Sequence, residues 1–159
     1  MNILIIGAGR RGLRIAQHLA AEGASIIFLD RNAVRCHIAE AKLDCLAVNG
    51  SGTDIEKLKE AGAENVDTVI SVTDSDEINI VSCGIVASAF PNVDNIFAVI
   101  RSAGYLGEQE LSHKILGINH LINPDLEGAL RIVDTVRYGL YQDTIIFPGT
   151  DFILFTVPE

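Results

Sequence analysis

Six residues near the start of the chain, Gly7-Ala8-Gly9-Arg10-Arg11-Gly12, have the spacing GxGxxG. The pattern gains meaning from its setting, because it follows a short apolar run and opens a segment of helical period. A first glycine permits a tight turn, a second lets backbone approach a pyrophosphate, and a third lets a helix pack close to a strand. Phosphates would then sit at the positive end of the helix that begins near Arg10. Asp30 ends the next apolar run, about 20 residues further on, where a carboxylate accepts hydrogen bonds from both hydroxyls of a ribose and repels a 2′-phosphate. Arg31 follows it and softens that repulsion. Gly7, Gly9, Gly12 and Asp30 thus point to an adenine dinucleotide or mononucleotide.

Further candidates follow the later apolar runs. Asn49-Gly50-Ser51 are small and polar, suited to lining an adenine pocket, although a turn followed by a helix cap needs the same residue types. Thr73-Asp74 offer a hydroxyl and helix-opening amides, which capping also explains. Arg101 follows the fifth apolar run and would point a cation into the same crevice, where a phosphate pairs with it. The four histidines form neither HxxxH nor HExxH, so no metal site is expected, and no catalytic His, Lys or Tyr stands beside the glycines. Three cysteines, Cys36, Cys45 and Cys83, include no CxxC pair and read as free thiols.

The elements that must position these residues alternate in period. Apolar runs at Asn2–Ile6, Ser25–Leu29, Cys45–Val48, Thr68–Val72, Ile96–Ile100 and His120–Ile122 predict strands. Between them Arg11–Glu22, Ala33–Lys42, Asp54–Ala61, a segment from Asp74 or Asp76 to about Phe90, and Ser102 to about Leu116 predict helices. Asn32 is a good cap, Gly23 and Gly62 are stops, and Pro91 ends the fourth helix. Such alternation predicts an α/β fold, a Rossmann doubly wound parallel sheet of order 3-2-1-4-5-6 with right-handed crossovers. After Asn123-Pro124 an amphipathic helix is expected at Asp125–Tyr138. A short β-hairpin, Ile145–Phe147 and Phe152–Val157 around Pro148–Asp151, follows it. The expected division is residues 1–123, the Rossmann domain, and 124–159, a crossover helix and the start of a β-containing subdomain.

The chain has 159 residues, 48% of them hydrophobic and 21% charged, a composition suited to one soluble globular domain. No apolar run approaches the ~20 residues that span a bilayer, and Met1 leads into a strand without the pattern of a secretory leader. A net charge of −9 argues against a nucleic-acid partner.

Several segments carry a family resemblance: NILIIGAGRRG, IIFLDRN, LAVNGSGTDIEKLKEAGAENVDTVISVTDSDEIN, AVIRSAGYL and INPDLEGALRIV, across roughly residues 1–137. Together they resemble the N-terminal nucleotide-binding domain of Trk-type potassium-uptake regulators, the TrkA-N, RCK or KTN domain. The glycine turn is common to all Rossmann proteins, whereas GxxxxxLxxAGxxxxDxxIxVTxxDExN followed by IRSxxY is far more specific. The resemblance implies a cytoplasmic, non-enzymatic regulatory subunit that acts at the inner face of the cell membrane through a Trk- or Ktr-type potassium-transporter subunit. It implies NAD(H) or ATP/ADP as ligand, with AMP possible, contacted by Gly7, Gly9, Arg10, Arg11, Asp30, Arg31, Asn49, Gly50, Ser51, Thr73, Asp74 and Arg101. It further implies a homodimer or larger ring through Asp125–Tyr138, and a longer chain than this one. Arg10-Arg11 depart from the small or apolar pair usual in that loop and favour a more anionic ligand such as ATP. The competing reading is the cofactor domain of an NAD-dependent oxidoreductase, which needs a substrate pocket and an acid or base from elsewhere.

Overall fold

The computed structural model describes residues 1–102, 116–138, 144–146 and 153–155. The chain divides into two compact units, Met1–Asn123 and Pro124–Glu159. The first contains β1 (Asn2–Ile6), α1 (Arg10–Ala21), β2 (Ser25–Asp30), α2 (Ala33–Lys42), β3 (Leu46–Asn49), α3 (Ile55–Glu60), a 3₁₀ turn at Ala63–Asn65, β4 (Thr68–Ser71), α4 (Asp76–Ala89), β5 (Asn95–Val99) and β6 (His120–Ile122). Its strands form one parallel sheet in the order β3-β2-β1-β4-β5-β6, the doubly wound order read from the sequence.

β1 is continuously apolar from Ile3 to Ile6 because both faces of the sheet are covered there. Leu4 and Ile6 pack with Leu58 of α3 and with Ile80, Cys83 and Val86 of α4. Ile3 and Ile5 face the other way, towards Ala16 of α1, Ala39 of α2 and Phe28 of β2. The strand order reverses between β1 and β4: the chain leaves β1 towards β2 and leaves β4 towards β5, and the two connections part at the C-terminal ends of these strands and open a crevice there.

Local chemistry sets the helix starts. The Asn32 side chain accepts from the amides of Val34 and Arg35 at 3.0 and 3.3 Å, and Asp54 accepts from those of Glu56 and Lys57 at 2.9 and 3.4 Å. α4 is capped by neither Asp74 nor Asp76 but by Ser75 between them, whose hydroxyl accepts from the Ile78 amide at 3.2 Å. At Gly62 a φ of 75° provides the left-handed turn after α3.

The helix expected at Ser102–Leu116 lies mostly outside the described residues. Its two ends are not helical: Ser102 is in irregular structure, and Leu116 sits in a turn with φ 53°. In the second unit α5 runs from Pro124 to Tyr138, one residue earlier than expected, and β7 (Thr144–Ile146) pairs antiparallel with β8 (Ile153–Phe155). The remaining residues of the expected hairpin lie outside the described residues. Among the described residues no helix is long and apolar enough to cross a membrane.

α1 can start directly on the end of β1 only because residue 12 lacks a side chain. A Cβ there would lie 2.0 Å from the Gly7 carbonyl oxygen, a backbone atom that cannot step aside. Gly12→Ala is therefore expected to destabilise the fold by more than about 2 kcal/mol, the scale of overpacking with strain. Urea unfolding measures it, and a midpoint equal to that of the unmutated chain would contradict the close-packing account.

Candidate nucleotide-binding site

The glycine turn closes the crevice at the end of β1. Gly7 has φ 109°, and its amide donates to the Leu29 carbonyl at 2.9 Å, pinning the turn to β2. Gly9 differs in kind. Its φ is −75°, which any residue adopts, and a Cβ there would meet only Nη1 of Arg35, at 3.7 Å. The fold itself leaves open the space beside Gly9. α1 begins at this point with no side-chain cap on its first amides and no acidic residue in its first turn. Those amides point their donors outward, the arrangement that holds a phosphate.

Asp30, at the end of β2, is buried. Its Oδ2 accepts the Ala8 amide at 2.7 Å and its Oδ1 accepts the Asn32 amide at 2.8 Å. One carboxylate therefore ties the glycine turn to the loop that starts α2. Each oxygen keeps a second lone pair for a ligand hydroxyl. Arg35, half-buried on α2, brings Nη1 to 3.9 Å from Asp30 Oδ2 and Nη2 to 3.5 Å from Asp74 Oδ2.

The opposite wall is held by Asn79 of α4, which is 1% exposed. Its Oδ1 accepts the Thr73 amide at 2.8 Å, the Thr73 hydroxyl at 2.7 Å and the Ser71 hydroxyl at 3.0 Å. Its Nδ2 donates to the Val99 carbonyl at 2.7 Å and the Thr73 carbonyl at 3.3 Å, joining the ends of β4 and β5. Asp76 makes a parallel tie by accepting the amides of Arg101 at 3.0 Å and Ser102 at 2.8 Å, while the Arg101 guanidinium donates to the Asp74 carbonyl.

Two adjoining spaces result. A cavity of about 200 Å³ is lined by Gly7, Asp30, Arg31, Arg35, Gly50, Ser51, Thr73 and Asp74. A trough of about 910 Å³ is lined by Gly9, Arg10, Arg11, Arg14, Arg35, Lys42, Asp74 and Arg101. The trough gathers six of the chain's 12 Lys and Arg residues against the single carboxylate of Asp74, although the chain as a whole is at −9.

The family model of the TrkA-N domain matches residues 3–124. The chain belongs to the TrkA-N domain family. Among curated relatives, the Trk system potassium uptake protein TrkA of Vibrio alginolyticus is 38% identical over 127 residues, 79% of this chain and 28% of that protein. A Trk system potassium uptake protein TrkA homolog of Methanothermobacter thermautotrophicus is 33% identical over 151 residues, 95% of this chain and 67% of that protein. This TrkA-N domain thus spans little more than a quarter of the first relative's length. Solved structures share the fold. The TrkA-N domain of the inner membrane protein ybaL from Escherichia coli has a TM-score of 0.72 at 17% identity, over 85% of this chain and 96% of that one. The Shewanella denitrificans Kef CTD in its AMP-bound form has a TM-score of 0.67 at 16% identity, over 87% and 81%. The GsuK channel bound to NAD has a TM-score of 0.60 at 23% identity, over 76% and 21%.

Of the residues singled out from the sequence of this TrkA-N domain, two line neither space: Gly12, packed against the Gly7 carbonyl, and Asn49. Its amide instead donates to the Asp30 carbonyl at 3.0 Å, tying β3 to β2. Arg35, which lines both spaces, was missed by sequence reasoning because it reads as an ordinary helix-face cation. The available signal was its place in the first turn of α2, where the helix dipole opposes a positive charge. Asp76 and Asn79 stand in the family pattern VTxxDExN, but their role was not read from it, since their work is done through backbone groups on other elements. The thiols stand apart from this chemistry: burial pushes those of Cys36, Cys45 and Cys83 up from the ordinary value, that of Cys83 to about 12. His120 stacks on Phe97 with ring centroids 4.3 Å apart, and His113 lies outside the described residues.

Asn79→Ala removes both tethers of the β4–α4 loop and leaves the Val99 carbonyl and the Thr73 amide buried without their partner. The expected loss is about 3 kcal/mol in urea unfolding, from two orphaned groups. Asn79→Asp, which restores the acceptor and not the donor, is expected to recover only part of it. Wild-type stability in Asn79→Ala would show that the network does not hold the wall.

Proposed function

We propose that this TrkA-N domain binds an adenine nucleotide in the crevice, NAD(H) or ATP/ADP with AMP also accommodated, and that binding regulates a potassium-uptake system. The observation that carries the reading is the open space at Gly9, where uncapped amides of α1 face outward between a buried carboxylate and a cluster of cations. A ribose on Asp30 and a phosphate on Gly9 are the two ends of one nucleotide. The AMP and NAD named with the Kef and GsuK structures support this choice of ligand, and the names of the TrkA relatives support potassium uptake as the process. The site residues proposed are Gly7, Gly9, Arg10, Arg11, Asp30, Arg31, Gly50, Ser51, Thr73, Asp74 and Arg101, with Asn49 acting indirectly through the Asp30 carbonyl. Arg10 and Arg11 lie where additional phosphates would extend, which favours ATP or ADP over a neutral extension.

A regulatory role fits the residues better than hydride transfer does. Among the described residues the acid–base groups lining the two spaces are Asp30, Asp74 and Lys42, with no His, Cys or Tyr, and Asp30 is committed to the Ala8 and Asn32 amides. Regulation would work by population shift: a nucleotide biases a potassium-transporter subunit of the Trk or Ktr type only by its difference in affinity between two arrangements of paired domains. The domain would then act on the cytoplasmic side of the membrane.

Pairing is assigned to α5. Its apolar residues Leu126, Leu130, Val133 and Val136 are 47, 49, 44 and 79% exposed, and their helical spacing makes a stripe of the kind that marks an interface. Substitution of Leu130 and Val133 by Glu is expected to give a folded monomer with an unchanged melting temperature, where the unmutated chain is a dimer by light scattering. A monomeric unmutated chain at tens of micromolar, or an unfolded variant, would remove this assignment.

Gly9→Val tests the nucleotide reading. The fold has room for the side chain, so thermal melting should stay within a few degrees. Calorimetry should show NAD and ADP affinities reduced by at least about 100-fold, because the side chain takes the space of the pyrophosphate. Asp30→Ala is the poorer test, since it also frees the Ala8 amide and loosens the turn. Normal binding by a folded Gly9→Val variant would place the phosphate site elsewhere. Turnover of NADH with a small carbonyl substrate would favour the oxidoreductase reading.

A further inference from the structure

Arg35 belongs to no motif, yet it stands at the centre of the crevice. Its Nη1 lies 3.7 Å from the point that a Cβ on Gly9 would occupy, the point nearest the place assigned above to a phosphate. The guanidinium is steadied between two carboxylates that approach from different elements, Asp30 at the end of β2 and Asp74 in the loop before α4, at 3.9 and 3.5 Å. Both separations exceed hydrogen-bond length, so the carboxylates hold the group in position without using its N–H donors. Among the described residues none accepts a hydrogen bond from those donors. Arg35 also lines both the cavity around Asp30 and the larger cationic trough, so a ligand that runs from one to the other passes its guanidinium.

We infer that Arg35 is the phosphate clamp of the site, the residue that makes affinity depend on the phosphate groups of the ligand rather than on its nucleoside. The inference rests on the nucleotide reading above. A planar guanidinium presents paired donors that match two oxygens of a phosphate, a fit that a lysine lacks. Asp30 then serves two neighbouring groups, accepting from a ribose on one side and holding the clamp on the other. Asp74, 83% exposed, is the adjustable partner, and its loss frees the guanidinium without disturbing the glycine turn.

The test compares adenosine, AMP, ADP and NAD on the full chain and on Arg35→Gln and Arg35→Lys. Calorimetry is used for the nucleotides, ligand-observed NMR for adenosine and thermal melting as a control for folding. Arg35→Gln is expected to weaken ADP and NAD by about 10- to 100-fold, the scale of one or two charge-assisted hydrogen bonds, and adenosine by no more than about 2-fold. Arg35→Lys should fall between Arg35→Gln and wild type. Unchanged ADP affinity in folded Arg35→Gln overturns the clamp while leaving the nucleotide reading intact. Equal losses for adenosine and ADP overturn it too, by showing a merely structural role. If the unmutated chain binds none of the four compounds, the nucleotide reading fails and the clamp with it.

Discussion

A buried carboxylate is expensive unless its oxygens are satisfied, and the crevice of this domain is organised around one. Asp30 stands at the C-terminal end of β2, where the fold places it next to the strand that reverses the order of the sheet. Two backbone amides, from Ala8 and Asn32, compensate it at 2.7 and 2.8 Å. Those amides belong to the two segments that must be held still: the glycine turn before α1 and the loop before α2. The carboxylate therefore determines where the first amides of α1 aim and where α2 starts. Since Arg35 lies three residues beyond the Asn32 cap, the start of α2 also decides where a guanidinium can reach. A change at Asp30 would propagate to every group on this side of the crevice.

The other side has the same design with different chemistry. There the buried hub is neutral, the Asn79 amide, and it too spends its hydrogen bonds on backbone from two different strand ends. Asp76 repeats the idea at the surface. Both walls are thus fastened to the sheet by polar side chains and to the core by apolar ones, Leu29 on one side and Ile80 on the other. Arg10 and Arg11 face the gap without such ties, whereas Thr73 and Arg101 line it and also fasten its wall, through Asn79, Asp76 and the Asp74 carbonyl.

What was legible in the sequence follows from this division. Strands and helices could be read because a sheet covered on both faces demands continuous apolar runs, and helices lying on it demand a 3.6-residue period. Gly7, Gly12 and Asp30 could be read because backbone geometry and burial leave few substitutes at those positions. Ser75 could not be chosen over its aspartate neighbours, since all three residues make acceptable caps and only the path of the loop decides. Asn49 looked like a ligand contact because a small polar residue after a strand suits both a pocket and a strand-to-strand tie. Arg35 and Asn79 escaped because their partners lie on other elements: Asp74 is 39 residues from Arg35, and Val99 is 20 from Asn79. Local pattern carries no information about such pairs.

Charge gives the last constraint. An acidic chain that concentrates half of its Lys and Arg in one trough acts differently on anions of different size. At physiological ionic strength the Debye length is about 8 Å, so a phosphate placed at Gly9 would feel mainly the groups of the crevice, Arg10, Arg11, Arg35 and Arg101 together with Asp30 and Asp74, and little of the carboxylates elsewhere on the chain. A long polyanion must lie across a surface that is negative overall, and most of its charges would meet repulsion. The distribution that would attract a nucleotide, on the function proposed above, therefore disfavours a long polyanion. The cations of the first turn of α1 oppose the helix dipole, a cost that an anion bound at the dipole's positive end would offset.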